Sequence, residues 1–385
     1  MKRLCTAILV CCLTAVLLFP AVSAKAEVFA EDRGVELTEG IVVRYPAVTG
    51  MEDEQLQERI NAQIQEDCRI REYLARATLL ISGGNLRTEW IGGIQGDVFS
   101  CAVSAEGALE TTRTAHRWTG SNVDLRDGHE IAFAELFTDE AAARETLEAY
   151  LEGEVAPELS AQLLNSELLP LPDSFRLDRT GLTLLYPAEQ LSTLSDRAGD
   201  IRISWHELRE VLDTSEDSIP SRIGATDTVT LSEEGGKRLL AAAAEGRMEG
   251  VPAAIGDSMQ ELTDRYHLLT DPDGYQDGRM FALEGSCFRG VYLLTDDLDR
   301  SWENSRVQGI RLDHGGAECL FIGHTAREDW LAVLGEPEHT AAIDGEKAEA
   351  NRLVPGRCDY YECGAYQLRL YSDENGSLVS VVLTE

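Results

Sequence analysis

The chain has 385 residues, with 34 basic and 68 acidic side chains and a net charge of −34. That balance excludes nucleic acid as a partner and disfavours anionic membrane surface, because both need basic residues. Solubility and mutual repulsion are its plainest consequences; faster encounter with a cationic partner is the other.

The first element is a secretory signal. Lys2 and Arg3 precede an uncharged apolar run, Leu4 to Phe19, which Pro20 ends. Small residues follow, so cleavage is expected after Ala24 or Ala26, placing the signal at 1–26. An uncleaved, tethering signal is the alternative. The run is short for a spanning helix, which needs about 20 residues. The chain is therefore expected in the cell envelope or secreted. Cys5, Cys11 and Cys12 leave with the signal, and six cysteines remain: Cys68, Cys101, Cys287, Cys319, Cys358 and Cys363. An exported chain permits disulfides. Pairing within each half favours Cys68 with Cys101 and two among the other four; buried free thiols are the alternative.

Leu56, Ile60 and Ile64 recur every fourth residue, which predicts one helix from Glu52 to Ala77. Strands are expected over Asp97 to Ala105 and Thr111 to Leu125, with a hairpin turn at Asp127-Gly128 and a return through Ile131 and Phe133. Thr138 is placed as the cap of a helix ending near Leu151. Phe175 to Tyr186 reads as a hairpin turning at Thr180-Gly181, and Ile201 to Ser204 as a strand leading into a helix from His206 to Leu212. Residues 213–227 are poor in apolar side chains and are expected to link domains 27–212 and 228–385. Ser232 caps a helix that ends at Gly246.

The second half contains an internal repeat. Ile255-Gly256-Asp257-Ser258 and Ile322-Gly323-His324-Thr325 each precede a glutamate three residues on, Glu261 and Glu328, as in a capping box. Turns are expected at Asp271-Pro272-Asp273-Gly274 and Gly335-Glu336-Pro337. Paired strands follow: Gly290 to Leu294 matches Ala365 to Leu370, and Val307 to Leu312 matches Leu378 to Leu383. The fold class expected is α+β. An antiparallel-sheet domain with packed helices comes first, followed by tandem helix-plus-hairpin repeats on a shared antiparallel sheet.

Enzyme motifs fail one by one. His206-Glu207 meets Glu210 where a zinc protease needs histidine. Gly256-Asp257-Ser258 runs to Gln260, without the glycine of a nucleophile elbow. The Asp271 to Gly274 run lacks the later oxygen ligands of a calcium loop. Cys358 and Cys363 with His339 or His324 do not have the usual zinc spacing. Neither a metal nor a cofactor is expected. Trp90, Trp205 and Trp330 read as core or rim, and Trp118, beside His116 and Arg117, as the exposed aromatic.

Residues 38–212 resemble the extracytoplasmic domain pair of lysozyme-sensing anti-sigma factors and peptidoglycan deacetylases. The marks are Tyr45-Pro46, Ile60-Asn61, Ala115-His116, Asp124-Leu125 with Asp127-Gly128, Leu136-Phe137, Gly181-Leu182 and Tyr186-Pro187. Arg113-Thr114 stand where that family has two glycines, so the turn there must differ. Neither a deacetylase domain nor a sigma-holding segment is expected in this chain. Residues 228–385 resemble β-lactamase-inhibitor-protein-like tandem-repeat modules, through the two Ile-Gly helix starts and Leu334-Gly335-Glu336-Pro337. The resemblances imply a binding protein, not an enzyme, recognising a cationic protein such as lysozyme or a cell-wall fragment. His116, Trp118 and His129 are its candidate contacts. A hydrolase acting on cell-wall material through His116 with Asp124 or His129, and a structural envelope spacer, are the competing classes.

Overall fold

The computed structural model describes residues 28–109, 115–155, 171–186, 200–266, 268–275, 278–283, 290–295 and 304–385. The signal segment, Arg113-Thr114 and Cys287 lie outside the described residues. No helix among the described residues is long and apolar enough to cross a membrane.

The chain is α+β. A five-stranded sheet opens it, in the order β1 (Phe29–Thr38), β2 (Ile41–Thr49), β3 (Leu86–Gln95), β4 (Val98–Gly107), β5 (Ala115–Asp124). All its pairs are antiparallel except β2 with β3, which are parallel. A parallel pair needs a crossover, and two helices between these strands supply it. They are α1 (Glu54–Asp67) and α2 (Ile70–Leu80). The single helix expected over 52–77 is therefore two. Arg69 breaks it with a left-handed φ of 56°. The break shifts the apolar phase: Ile60 and Ile64 face the sheet from α1, whereas Ile70, Tyr73 and Ala77 do so from α2. Burying an isoleucine fully is worth roughly 1.5–3 kcal/mol, which outweighs the cost of one left-handed residue at about 1–2 kcal/mol.

A second core in the first half forms over β6 (Ser174–Asp178), β7 (Gly181–Leu185) and β8 (Asp200–Ser204). The hairpin at Thr180-Gly181 is as expected. Against it packs α3 (Glu140–Tyr150), which Asp139 caps rather than Thr138: its carboxylate accepts from Ala141 and Ala142 N–H. After Asp127-Gly128 the return strand shrinks to one bridge, Val123 with Glu130, and a 3₁₀ turn at Phe133–Leu136. The helix expected at 206–212 is a run of turns. Trp205 is pinned there, its Nε1 donating to the Asp178 carbonyl at 2.7 Å, while Leu208 and Leu212 fill the core. Residues 213–227, expected as linker, carry a short helix, α4 (Ile219–Arg222). Its apolar Ile219, with Ile223 and Ala225 beyond it, is buried in the first half, and Arg222 pairs with Asp97 and Asp124.

The second half begins with α5 (Glu233–Ala244), capped by Ser232. Its eight-stranded antiparallel sheet has a mirrored order. The strands β9 (Leu268–Tyr275), β10 (Gly278–Leu283), β11 (Val291–Thr295) and β12 (Gly309–Leu312) form one side. On the other side lie β15 (His339–Ile343), β16 (Gly356–Cys363), β17 (Tyr366–Asp373) and β18 (Leu378–Thr384), with β18 against β12. In the chain, a small separate hairpin comes between the two sets, β13 (Gly316–Ala317) with β14 (Leu320–Phe321). Each set follows a helix, α6 (Met259–Tyr266) or α7 (Arg327–Leu334), and α8 (Gly345–Ala350) precedes β16. The repeat extends to single bonds. Gly256 and Gly323 both have positive φ, and their N–H groups donate at 2.7 Å to the carbonyls of Val307 and Leu378. The caps differ. Ser258 Oγ accepts from Glu261 N–H, as expected. In the second copy the helix starts one residue later, so Ala326 is the cap position, with Asp329 bonded back to its N–H. Thr325 turns inward instead and accepts from Phe321 N–H at 2.7 Å. The Asp271 to Gly274 run, expected as a turn, belongs to β9.

The described cysteines, Cys68, Cys101, Cys319, Cys358 and Cys363, are buried thiols. Cys68 and Cys101 face each other across the first core with sulfurs 3.8 Å apart. Closing to a bond length near 2 Å needs only a small side-chain movement. After folding under oxidising conditions, a Cys68–Cys101 cross-linked peptide is expected in a non-reducing digest, with an intact mass lower by two hydrogens. Alkylation of both thiols in the denatured, unreduced protein would refute the pairing.

Candidate functional site

The two halves meet around an open cleft. The first half contributes Tyr150 from the end of α3, Thr180 from the β6–β7 turn, Arg202 and Ser204 from β8, and Glu207. The second half contributes Glu249, Gly250 and His314 above an apolar floor of Val291 and Leu312. Tyr150 and His314 join the halves directly, hydroxyl to Nε2, at 3.2 Å.

The charges in the cleft are held in place. Arg202 donates from Nη2 to Asp178 Oδ1 at 2.9 Å and bonds the Thr180 hydroxyl. Arg176 holds the other Asp178 oxygen at 2.9 Å. Burial alone would raise the Asp178 carboxyl, but the charges of Arg202 and Arg176 and the bonds from Thr180 hold it well below the usual carboxylate range. Gly250, at φ 78°, lets its loop lie on Arg202: a Cβ there would stand 2.8 Å from Nη1. Glu249 behaves oppositely. Burial, then the neighbouring Glu318, lifts its carboxyl above the usual range. The cleft thus offers a fixed guanidinium and a carboxyl, beside a tyrosine and a histidine. That set can bind a polar ligand carrying both donors and acceptors.

Two contacts lock the halves beside the cleft. Arg179 grips Glu318 with paired bonds of 2.7 and 2.9 Å, and Arg238 reaches the same carboxylate at 3.4 Å. Glu318 is buried and has a left-handed φ of 52°. His206 stacks on Phe321 at 3.8 Å between centroids, and His324 lies 5.2 Å from it, with Glu207 3.5 Å from the His324 Nε2. Burial, then the charge of Arg209, pushes His206 down to about 4.

The residues singled out from the sequence lie elsewhere. His116 is buried at the start of β5, its Nε2 2.8 Å from Ser104 Oγ. Trp118 is half-buried rather than exposed, and meets the His116 ring edge-on at 5.7 Å. His129 follows the far end of β5 and bonds Asp127 at 2.8 Å and Glu135 at 3.1 Å. The bond to Asp127 raises its pKa. Eight residues of extended strand, about 27 Å, part His116 from Asp124. The structure therefore joins His116 with Trp118 but joins neither to Asp124 or His129. Asp124, Asp127 and His129 are the described residues whose ligand atoms cluster closely enough for a metal. Asp124 is already held by Arg126 and Arg222, both at 2.8 Å, so two guanidiniums occupy the carboxylate that an ion would need. Sequence reading missed Tyr150, Arg202, Glu249 and His314, which share no motif.

No protein-family model and no curated protein matches the chain. Among solved structures it is similar to a member of the DUF3298 family from Bacteroides fragilis, at 12% identity and a TM-score of 0.38. That likeness covers 52% of this chain and 98% of the other. It is also similar to a DUF3298 family protein from Pseudomonas aeruginosa, at 11% identity and a TM-score of 0.34, over 49% of this chain and 94% of the other. A DUF4309 family protein from Bacillus subtilis is similar at 16% identity and a TM-score of 0.30, over 40% of this chain and 97% of the other. With these TM-scores below 0.5, the functional reading rests on the residues of this chain.

Proposed function

We propose that the protein is an exported bacterial envelope or secreted binding protein, and that its ligand is a polar cell-wall fragment seated in the cleft between its halves. The observation that carries this reading is the placement of Arg202 and Glu249 on one open cleft. A muramyl peptide has the matching groups: carboxylates for Arg202, and amide or ammonium donors for Glu249. Calorimetry of the mature chain with soluble muramyl peptides tests it. Binding is expected, with a roughly 10- to 100-fold loss in Glu249→Gln, the usual worth of a hydrogen bond to a charged group. An absence of heat with muramyl peptides would sink the reading.

A second reading has its own support. The net charge of −34 suits a cationic protein such as lysozyme. Screening limits exposed charges to about 8 Å at physiological salt, so steering alone leaves little affinity there. Lysozyme bound tightly at that salt, with cytochrome c left unbound, would favour this reading. Equal weak binding of both would leave only a generic acidic surface.

A further inference from the structure

We infer that β1 is an interface for a second copy of this chain, which extends the five-stranded sheet across a two-fold axis. This goes beyond the cleft and does not depend on it. β1 is the open edge of its sheet: β2 pairs with it on one side, and among the described residues no strand pairs with the other. All ten of its residues are exposed except the half-buried Ala30. Yet it carries large apolar side chains, with Phe29 53% and Val35 39% exposed. Its charged residues, Glu31, Asp32, Arg33 and Glu36, would oppose indiscriminate pairing, so its free N–H and C=O groups template only a partner whose charges match.

The strand is self-complementary in one register. Place two copies antiparallel with Asp32 facing Asp32. Phe29 then opposes Val35 of the second copy, and Glu31 opposes Arg33; the two-fold axis repeats both pairs. Aromatic with β-branched and opposite-charge pairs are the stabilising cross-strand combinations. All four pairs lie on one face, since residues two apart in a strand share a face. A slip of two residues one way sets Arg33 against Arg33, and the other way sets Glu31 against Glu31. The register is therefore specified by charge as well as by pattern. The one like-charge contact, Asp32 with Asp32, is relieved within each copy. Arg44 Nη1 holds one oxygen of Asp32 at 2.7 Å, and Trp90 Nε1 holds the other at 2.8 Å. Within a single chain Arg33 folds back onto Glu31 at 3.0 Å. The charges are thus satisfied in the monomer and need only exchange partners. The contact is isologous, so it closes at two copies.

The test is molar mass by sedimentation equilibrium of the full mature chain, at a concentration of about 100 μM, where a weak dimer is populated. Wild type is expected to show twice the mass of one chain. Glu31→Arg and Arg33→Glu, each alone, set like charges in opposition and should fall to the single-chain mass. Their equimolar mixture sets two arginines against two glutamates and should return to the double mass. Unchanged circular dichroism and unfolding midpoints in the single variants exclude misfolding. A monomeric wild type would overturn the proposal. So would single variants that stay dimeric, which places the interface elsewhere, or a mixture that stays monomeric, which removes the register.

Discussion

Glu318→Ala is expected to destabilise the protein by about 3–5 kcal/mol, the cost of breaking a buried ion pair from one side. Glu318 is 4% exposed and joins Arg179 of the first half to Arg238 of the second. Its loss leaves Arg179, itself little exposed, facing the inside without its counter-charge. The same residue permits a finer test, because its φ is 52°. Glycine takes that conformation without strain, whereas a residue with a Cβ gives up about 1 kcal/mol or more. Glu318→Gly should therefore be less damaging than Glu318→Ala by about 1 kcal/mol, although both lose the same bonds. Urea unfolding gives both values. An alanine variant within about 0.5 kcal/mol of wild type, the range of ordinary surface changes, would mean the latch is not structural.

Acid is expected to weaken the protein in two stages. Burial, followed by the charge of Arg209, pushes His206 from its ordinary 6.5 down to about 4, against an opposing bond to the Val229 carbonyl. Between those values the unfolded chain binds a proton that the folded one refuses, so stability rises with pH. The contribution of the neutral, stacked ring is complete above about 6.5 and is lost as pH falls toward 4. His129 works the other way, because its pKa is raised, but it does so from an exposed position. The second stage lies lower. Asp124 and Asp178 are held below the ordinary 3.8, so their contributions are present above that value and are lost only below it. Thermal midpoints across pH 6.5 to 4 should fall in wild type and fall less in His206→Phe, which keeps a ring on Phe321 without a titrating group. An equal fall in both would remove His206 as the cause.

Where pattern and burial agree, the sequence is a reliable guide. The Thr180-Gly181 hairpin and the Ser232 cap stand as expected, because each depends on neighbours within a few residues. Local pattern misleads where a distant contact decides. The stretch after Trp205 has helical spacing, but the indole bond to the Asp178 carbonyl and the stacking of His206 on Phe321 hold it in turns. Thr325 is spaced as a cap, but a start delayed by one residue hands that position to Ala326 and turns the hydroxyl inward. At 213–227 few apolar residues suggested a linker, yet the few present are buried.

The sequence by itself determined the α+β class, the doubled helix-and-strand unit of the second half and the acidic charge. All are written in spacing and composition, which act locally or sum over the chain. Only the tertiary structure decided the cleft. Tyr150 and His314 are 164 residues apart in the chain, and Arg179 and Glu318 are 139 apart. No periodicity links such pairs. They meet because β8 and the end of α3 are placed by one core and the loops flanking β12 by another. The same reason separates His116 from His129: one extended strand lies between them, and at about 3.4 Å per residue it keeps its ends apart.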